Sequence, residues 1–174
     1  MREFLLLVAV GVGAVMLSRS VLAGAQGDDV MGDKSLPRGI RNHNPLNIED
    51  TAKRDPWLGL DEPRNDGRYL RFQHPVYSYR AGAKVLASYR KRGITTLAGI
   101  IESWAPDLEN NTAAYIASVS TRTGIGATEQ VPLNVAAVSK LFQAMAIHEC
   151  GAAWAGHDSL SIDNITSGVK MGLN

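Results

Sequence analysis

Two glutamates have surroundings that suit acid–base chemistry. Glu149 closes a predicted apolar helix that runs through Ile147, and Gly151 follows it. Because an apolar surround disfavours a charged carboxylate, we expect a raised pKa for Glu149 and a role as general acid. Glu49, just after an Asn-rich turn, is the second candidate catalytic residue. The alternative for the first glutamate is an exposed helix-terminal acid that pairs with His148 or a lysine.

The Asn-rich turn before the second glutamate is a candidate binding site. Amides of Asn42, Asn44 and Asn47 can bond to the backbone of the turn itself, or can face sugar hydroxyl and acetamido groups. Trp57 and Tyr69 have a broad apolar face and a polar edge, which suit sugar rings. We predict that these five residues bind a ligand, and turn stabilisation remains the alternative for the three asparagines.

Other chemistries fit the sequence less well. Ala152 stands four residues after His148, so the two-histidine helix of zinc proteases is not formed. Cys150 is the only cysteine, which excludes an internal disulfide, and a lone cysteine is usually a small buried apolar residue. Gly124 and Gly126 follow a predicted helix rather than open one, which argues against a phosphate loop. We expect no metal and no cofactor.

Five predicted helices must position these side chains. Start and stop signals give the bounds of each helix. The first runs from Pro75 to Gly93, the second from Thr95 or Thr96 to Pro106, and the third from Asn110, Asn111 or Thr112 to Gly124. The fourth runs from Asn134 to Glu149, and the last begins at Ser161. Residues 42–67 are turn-rich, and residues 69–72 alternate like a short strand. The predicted class is α+β and predominantly α, with a small irregular or β lobe.

A hydrophobic segment precedes this domain. Arg2 stands before the apolar run Phe4–Leu17, Arg19 interrupts it, and Ala23–Ala25 has the small residues of a cleavage site. We interpret residues 1–25 as a signal peptide or a membrane anchor. If it is not cleaved, this hydrophobic helix would place residues 4–25 in the lipid bilayer.

The rest of the chain divides into two parts of unequal size. Residues 26–37 are interpreted as a flexible linker and residues 38–174 as one globular domain. The domain is asymmetric in charge: Arg38 to Arg92 holds 12 Lys and Arg against 6 Asp and Glu, whereas Gly93 to Asn174 holds 3 against 7. The basic part can attract an anionic polymer such as nucleic acid, anionic lipid or cell-wall peptide.

An ordered set of short motifs spans residues 38 to 151. The set comprises Arg38-Gly39-Ile40-Arg41-Asn42-His43-Asn44-Pro45-Leu46-Asn47-Ile48, Trp57-Leu58-Gly59, Phe72 with Pro75, Tyr79-Arg80-Ala81, Trp104-Ala105-Pro106, Glu109-Asn110-Asn111-Thr112 and Tyr115-Ile116. In this order they resemble short phage and prophage proteins described as virion structural proteins. That group is similar in turn to lysozyme-like cell-wall hydrolases, the glucosaminidases and lytic transglycosylases.

The resemblance implies a lysozyme-like fold for residues 38–174. Glu149-Cys150-Gly151 is similar to the Glu-Ser-Gly that closes the catalytic helix of lytic transglycosylases. In the glucosaminidase pattern the acid precedes the Asn-rich loop, where this chain has only Asp28, Asp29 and Asp33 in a stretch without helical periodicity. Glu149 is therefore the first candidate for the glycosidase acid.

Three functions follow from these observations. The first is a membrane-anchored or exported phage-type virion protein that binds, and as an enzyme would cleave, the glycan strands of peptidoglycan, either in a virion membrane or beyond the bacterial inner membrane. The second is a non-catalytic virion structural membrane protein with the same fold. The third is a membrane protein that contacts nucleic acid, although we expect peptidoglycan, lipid and other virion proteins as partners rather than nucleic acid.

Overall fold

Helices dominate the computed structural model, which describes residues 33–106 and 111–174. The helices are α1 Arg38–Arg41, α2 Pro75–Lys91, α3 Leu97–Trp104, α4 Thr112–Thr123, α5 Val135–Cys150 and α6 Ile162–Leu173. The strands are β1 Leu60–Asn65 and β2 Leu70–Phe72, and two 3₁₀ turns cover Ala152–Trp154 and Asp158–Leu160. The predicted α+β, mainly α class is confirmed. No helix among the described residues has the length and apolarity to cross a bilayer, and the predicted segment 1–25 lies outside them.

Side-chain caps fix where the helices begin. Thr96 accepts a hydrogen bond from the Gly99 N–H, and Asn111, Asn134 and Ser161 do the same for the first turns of α4, α5 and α6. Each cap satisfies a backbone N–H that has no partner inside its helix. At the far end of α4, Gly124 takes the left-handed conformation that stops the helix. These boundaries agree with the predicted starts and stops.

The small lobe contains a strand that the sequence pattern did not predict. β1 pairs with β2 in an antiparallel arrangement with Leu60 opposite Phe72, and the register is irregular before Asn65 meets Leu70. β1 was missed because its sequence, Leu-Asp-Glu-Pro-Arg-Asn, neither alternates nor is apolar. The Arg64 guanidinium makes two hydrogen bonds to the Asp50 carboxylate, at 2.9 and 2.7 Å, and ties this strand to the preceding turn.

α5 lies in the core and carries Glu149 at its last turn. Phe142 is fully buried between Tyr79 of α2 and Trp104 of α3, with ring centroids 6.3 and 6.4 Å away. α6 packs closely on α2, where Gly168 and Gly172 leave room for the backbone of the neighbouring helix. The helical core therefore holds the end of α5 in a fixed place against the small lobe.

Candidate functional site

A cleft of about 240 Å³ lies between the Asn-rich turn, the small lobe and the ends of α3 and α5. Its lining contains both polar and apolar residues. The polar residues are Asn47, Glu49, Thr51, Arg68, Tyr69 and Glu149. The apolar residues are Ile48 of the turn and a set that we call the apolar wall, namely Val85, Tyr89, Trp104, Ala105 and Pro106. A cleft with one apolar wall and convergent polar groups is the usual form of a small-ligand site.

Glu149 lies half-buried in this cleft, close to the Asn-rich turn. The Asn47 side-chain amide donates a hydrogen bond to Glu149 Oε2 at 2.8 Å, across 102 residues of sequence. Burial raises the pKa of Glu149 from its ordinary value, and the neighbouring amide and the Tyr115 hydroxyl only partly oppose this. A raised pKa keeps a larger fraction of the carboxyl protonated, as a general acid requires.

The alternative partner for this glutamate, His148, points elsewhere. Its ring stacks on Tyr115 with centroids 3.9 Å apart, and burial together with the charge of Arg122 lowers its pKa. Among the described residues, no Lys, Arg or His forms an ion pair with Glu149. Within the part of the chain that the structure describes, the side chains that contact the carboxyl are the neutral Asn47 and Tyr115.

Asn47 has an unusual backbone and an unusual side chain. Its φ of 48° is in the left-handed region, which asparagine tolerates better than most residues, and its N–H bonds to the Asn44 carbonyl at 2.8 Å. The side-chain oxygen of Asn47 is buried and has no hydrogen-bond partner, while the nitrogen binds Glu149. The turn thus presents an unsatisfied amide acceptor beside the candidate acid.

The other two asparagines hold the turn together. Asn44 is fully buried; its amide nitrogen donates to the Ile48 and Leu70 carbonyls, both at 2.9 Å, and its oxygen accepts from the Ile48 N–H. Asn42 is 5% exposed and donates to Asp66 at 2.8 Å. Both have the contacts of the turn-stabilising alternative, and neither lines the cleft. Of the three asparagines, the structure brings only Asn47 to Glu149.

Glu49 lies on the exposed rim of the same cleft. Its carboxylate pairs with the Arg68 guanidinium at 2.6 Å, and its backbone forms a bridge to Tyr69. The guanidinium groups of Arg38 and Arg68 each lie 5.1 Å from the centre of the Tyr69 ring. These two cations compete for the ring face that a sugar would use. The two glutamates therefore share one cleft in different environments: Glu149 is half-buried, whereas Glu49 is exposed and ion-paired.

The apolar wall consists of residues that the sequence predicted to lie on helices but did not predict to be part of a binding site. Trp104 is fixed by a hydrogen bond from its indole N–H to the Leu46 carbonyl at 3.1 Å. Tyr89 packs edge-on against that indole, and its hydroxyl donates to the Ser103 carbonyl at 2.9 Å. Trp57, the aromatic residue predicted for sugar binding, is half-buried against the core and does not line the cleft.

No group of three or more His, Cys, Asp and Glu side chains suited to a metal ion forms within residues 33–106 and 111–174. Cys150 follows the candidate acid but is buried, and burial raises the pKa of its thiol to about 12. A thiol with such a pKa stays protonated near neutral pH and is a poor nucleophile. The chemistry that this cleft can support is therefore that of carboxyl, amide and phenol groups.

A known relative shares most of this chain. Protein P5 of Pseudoalteromonas phage PM2 is 36% identical over 138 residues, which cover 78% of this chain and 82% of the relative. Models of known protein families give no match to the sequence. The predicted phage affiliation is confirmed by this similarity. The chain belongs to the same family of phage proteins as protein P5.

Proposed function

We propose that this chain is a phage protein that binds and cleaves the glycan strands of peptidoglycan, with Glu149 as the general acid. The observation that carries the proposal is the half-buried Glu149 carboxyl, which Asn47 holds in a cleft between the turn and the helical core. Membership of a phage protein family supports peptidoglycan as the proposed substrate, since a phage must pass the cell wall of its host.

The two glutamates have complementary parts in this reaction. The protonated Glu149 carboxyl would give its proton to the oxygen of the scissile glycosidic bond as the bond breaks. The exposed Glu49 carboxylate, across the same cleft, would stabilise the positive charge that develops on the sugar or orient a water molecule. Two carboxyl groups with different environments are the usual requirement for this chemistry.

The walls of the cleft suit an N-acetylated sugar. Asn47 lines the cleft, and its side-chain oxygen has no partner, so a rotation of the amide toward the cleft would let it accept the N–H of an acetamido group. Trp104, Tyr89 and Val85 offer an apolar surface to the face of the ring. Tyr69 can add a polar edge at the rim. We assign no direct contact with the glycan to Asn42, Asn44 or Trp57.

Replacement of the acid tests the proposal. Glu149→Gln preserves the shape and the Asn47 contact but removes the proton donor, so the clearing of peptidoglycan in a gel should fall about 10²–10⁴-fold. The matched control is Glu102→Gln, which changes an exposed glutamate of α3 outside the cleft and should leave clearing unchanged. Near-normal clearing by Glu149→Gln would remove this residue from the mechanism and make Glu49 the candidate.

A second outcome would favour a different function. If the unaltered protein binds peptidoglycan but does not clear it, the chain is better described as a structural phage protein that retains a glycan-binding cleft. Binding of DNA that weakens steeply with salt, without binding of peptidoglycan, would favour the nucleic-acid alternative.

The proposed substrate also requires delivery beyond the cytoplasm. We propose that residues 1–25 provide it, either as an anchor in the virion membrane or host inner membrane or as a cleaved signal peptide. Lipid through residues 4–25 and neighbouring virion proteins would then be partners of the chain, with the helical domain on the far side of the membrane.

A further inference from the structure

Tyr115 has a buried hydroxyl group without a formed hydrogen bond. The residue is on α4, is 2% exposed, and its hydroxyl has no partner that meets hydrogen-bond geometry. Two other tyrosines do have partners: the buried Tyr79 donates to the Ser159 carbonyl at 2.8 Å, and the half-buried Tyr89 donates to the Ser103 carbonyl at 2.9 Å. Buried polar groups without partners are uncommon in native proteins, and this one lies at the candidate site.

The ring of Tyr115 is fixed in place with its hydroxyl at the Glu149 carboxyl. The His148 ring covers one face of it at a centroid distance of 3.9 Å, and α4 packs directly on α5. The groups that influence the Tyr115 hydroxyl are Glu149 and Cys150, and of these the Glu149 carboxyl is the hydrogen-bond acceptor. The hydroxyl therefore needs only a small adjustment to donate a hydrogen bond to that carboxyl.

The groups around the carboxyl differ in what they can donate. Asn47 donates from the turn, Tyr115 faces it from α4, and the thiol of Cys150 is the neighbour on α5. Glu49 lies across the cleft in its ion pair with Arg68. Within residues 33–106 and 111–174 no cation pairs with Glu149, so the described donors to a negative charge on it are the neutral Asn47 and Tyr115.

We propose that Tyr115 is a positioning residue for Glu149, and that its hydroxyl donates a hydrogen bond to the carboxylate formed when Glu149 gives up its proton. The proposal rests on the proposed function. In the step, the Glu149 proton moves to the glycosidic oxygen, that oxygen takes the electron pair of the breaking C–O bond, and the Tyr115 proton stays on its own oxygen. The carboxylate that remains is held by two neutral donors, Tyr115 and Asn47.

The chemistry of Tyr115 suits this role. Burial and the nearby Glu149 charge raise the pKa of Tyr115 well above its ordinary value, so the group remains a phenol and a donor. The hydrogen bond from the Tyr115 hydroxyl is weak or absent while Glu149 is a neutral carboxyl, and it becomes strong when Glu149 is a carboxylate. An interaction that strengthens as charge develops stabilises the transition state more than the bound substrate, and therefore lowers the activation barrier.

Tyr115→Phe tests this role through the dependence of the rate on pH. The variant should lose about tenfold or more in kcat, as expected for loss of a donor to a developing charge. The alkaline limb of its pH–rate profile should move to higher pH, because a donor that favours charged Glu149 has been removed. Tyr79→Phe, which deletes an equally buried hydroxyl that bonds to Ser159, is the matched control and should leave the limb in place.

A second measurement needs no substrate. Carbon-13 NMR titration of the Glu149 carboxyl should give a higher midpoint in Tyr115→Phe than in the unaltered protein and in Tyr79→Phe. Incorporation of 3-fluorotyrosine at position 115 keeps the ring and makes the hydroxyl a stronger donor, so the midpoint should fall. This substitution also covers the case in which Tyr115→Phe does not fold.

The two proposals fail in different ways. A Glu149 midpoint that does not respond to either substitution at Tyr115 would overturn the positioning role, whatever the activity. A midpoint that responds as expected, in a protein that does not clear peptidoglycan, would support the Tyr115 contact and overturn glycan cleavage.

Discussion

At the scale of single residues, two asparagines of one short turn, Asn44 and Asn47, have different roles. Asn44 satisfies the carbonyls of Ile48 and Leu70, whereas Asn47 reaches a carboxyl on another element and leaves its oxygen unsatisfied. The sequence pattern predicts that the turn carries polar side chains, but it does not separate the two roles. The separation depends on Leu70 and Glu149, which only the complete fold brings to the turn.

The partial burial of the Glu149 carboxyl should make the stability of the protein depend on pH. Its pKa is raised in the folded protein above the ordinary value of 4.5, so the folded state binds the proton more tightly than the unfolded state. This contribution is fully present below about pH 4.5 and is lost as the pH rises through the raised pKa. Glu149→Gln removes the cost of ionisation, so its melting temperature relative to the unaltered protein should rise from pH 4 to pH 8.

Glu49→Gln is the control for this pH dependence. Its side chain is 47% exposed in an ion pair with Arg68, and surface pairs contribute about 0–1 kcal/mol. The variant should therefore show no gain in relative stability as the pH rises. The melting temperatures of both variants and of the unaltered protein are measured by thermal unfolding in matched buffers. A difference in melting temperature between Glu149→Gln and the unaltered protein that does not change from pH 4 to pH 8 would contradict the burial of the ionised group.

At the scale of elements, local sequence signals predict the helices, whereas β1 and the apolar wall depend on contacts between residues far apart in the sequence. Asn134 and Gly124 act through hydrogen bonds or backbone angles within a few residues, which a sequence displays directly. β1 is defined by its pairing with β2, and its own residues carry no strand pattern. The apolar wall was missed for the same reason, since Tyr89 and Trp104 meet across two helices. Secondary structure was therefore more predictable than the composition of the cleft.

The close packing of α6 on α2 gives a prediction for one glycine. A Cβ atom added at Gly168 would lie 2.6 Å from the Tyr79 Cβ and would also overlap the Val76 carbonyl oxygen. Because backbone atoms cannot yield as a side chain can, Gly168→Ala should lower the free energy of unfolding by about 1–3 kcal/mol or more. Urea unfolding followed by circular dichroism measures this loss.

Gly156→Ala is the matched control, because a Cβ atom at Gly156 would meet nothing within 4 Å and no left-handed backbone is required there. Its free energy of unfolding should be unchanged or raised by about 0.4–1 kcal/mol through the unfolded state. Equal effects of the two substitutions would show that the α2–α6 contact is looser than the structure indicates.

At the scale of the whole molecule, ion pairs involve five of the twelve Lys and Arg residues in the basic part of the domain. Carboxylates of the small lobe pair with neighbouring cations at 2.6 to 3.3 Å, and the pairs are Arg38–Asp66, Lys53–Asp55, Arg64–Asp50, Arg68–Glu49 and Arg71–Asp61. Pairing leaves the net charge unchanged, so the part keeps 12 Lys and Arg against 6 Asp and Glu and can still attract an anionic polymer. The salt dependence of DNA binding is therefore the measurement that separates this attraction from recognition in the cleft.

The N-terminal segment gives the last prediction. Phe4–Leu17 is a run of 14 residues without a charge, flanked by Arg2 and Arg19, which is the composition of a signal or anchor segment. We expect the full-length chain in the membrane fraction of expressing cells, or outside the cytoplasm with an intact mass that begins at Gln26. Val10→Arg places a charge in the middle of the run, at a cost of about 2.5–3.5 kcal/mol for insertion, and should shift the protein to the cytoplasm. Met16→Leu is the matched control: it keeps the run apolar and should leave the location of the protein unchanged. Recovery of the full-length, unaltered chain in the soluble cytoplasmic fraction would contradict delivery by residues 1–25 and, with it, access of the cleft to peptidoglycan.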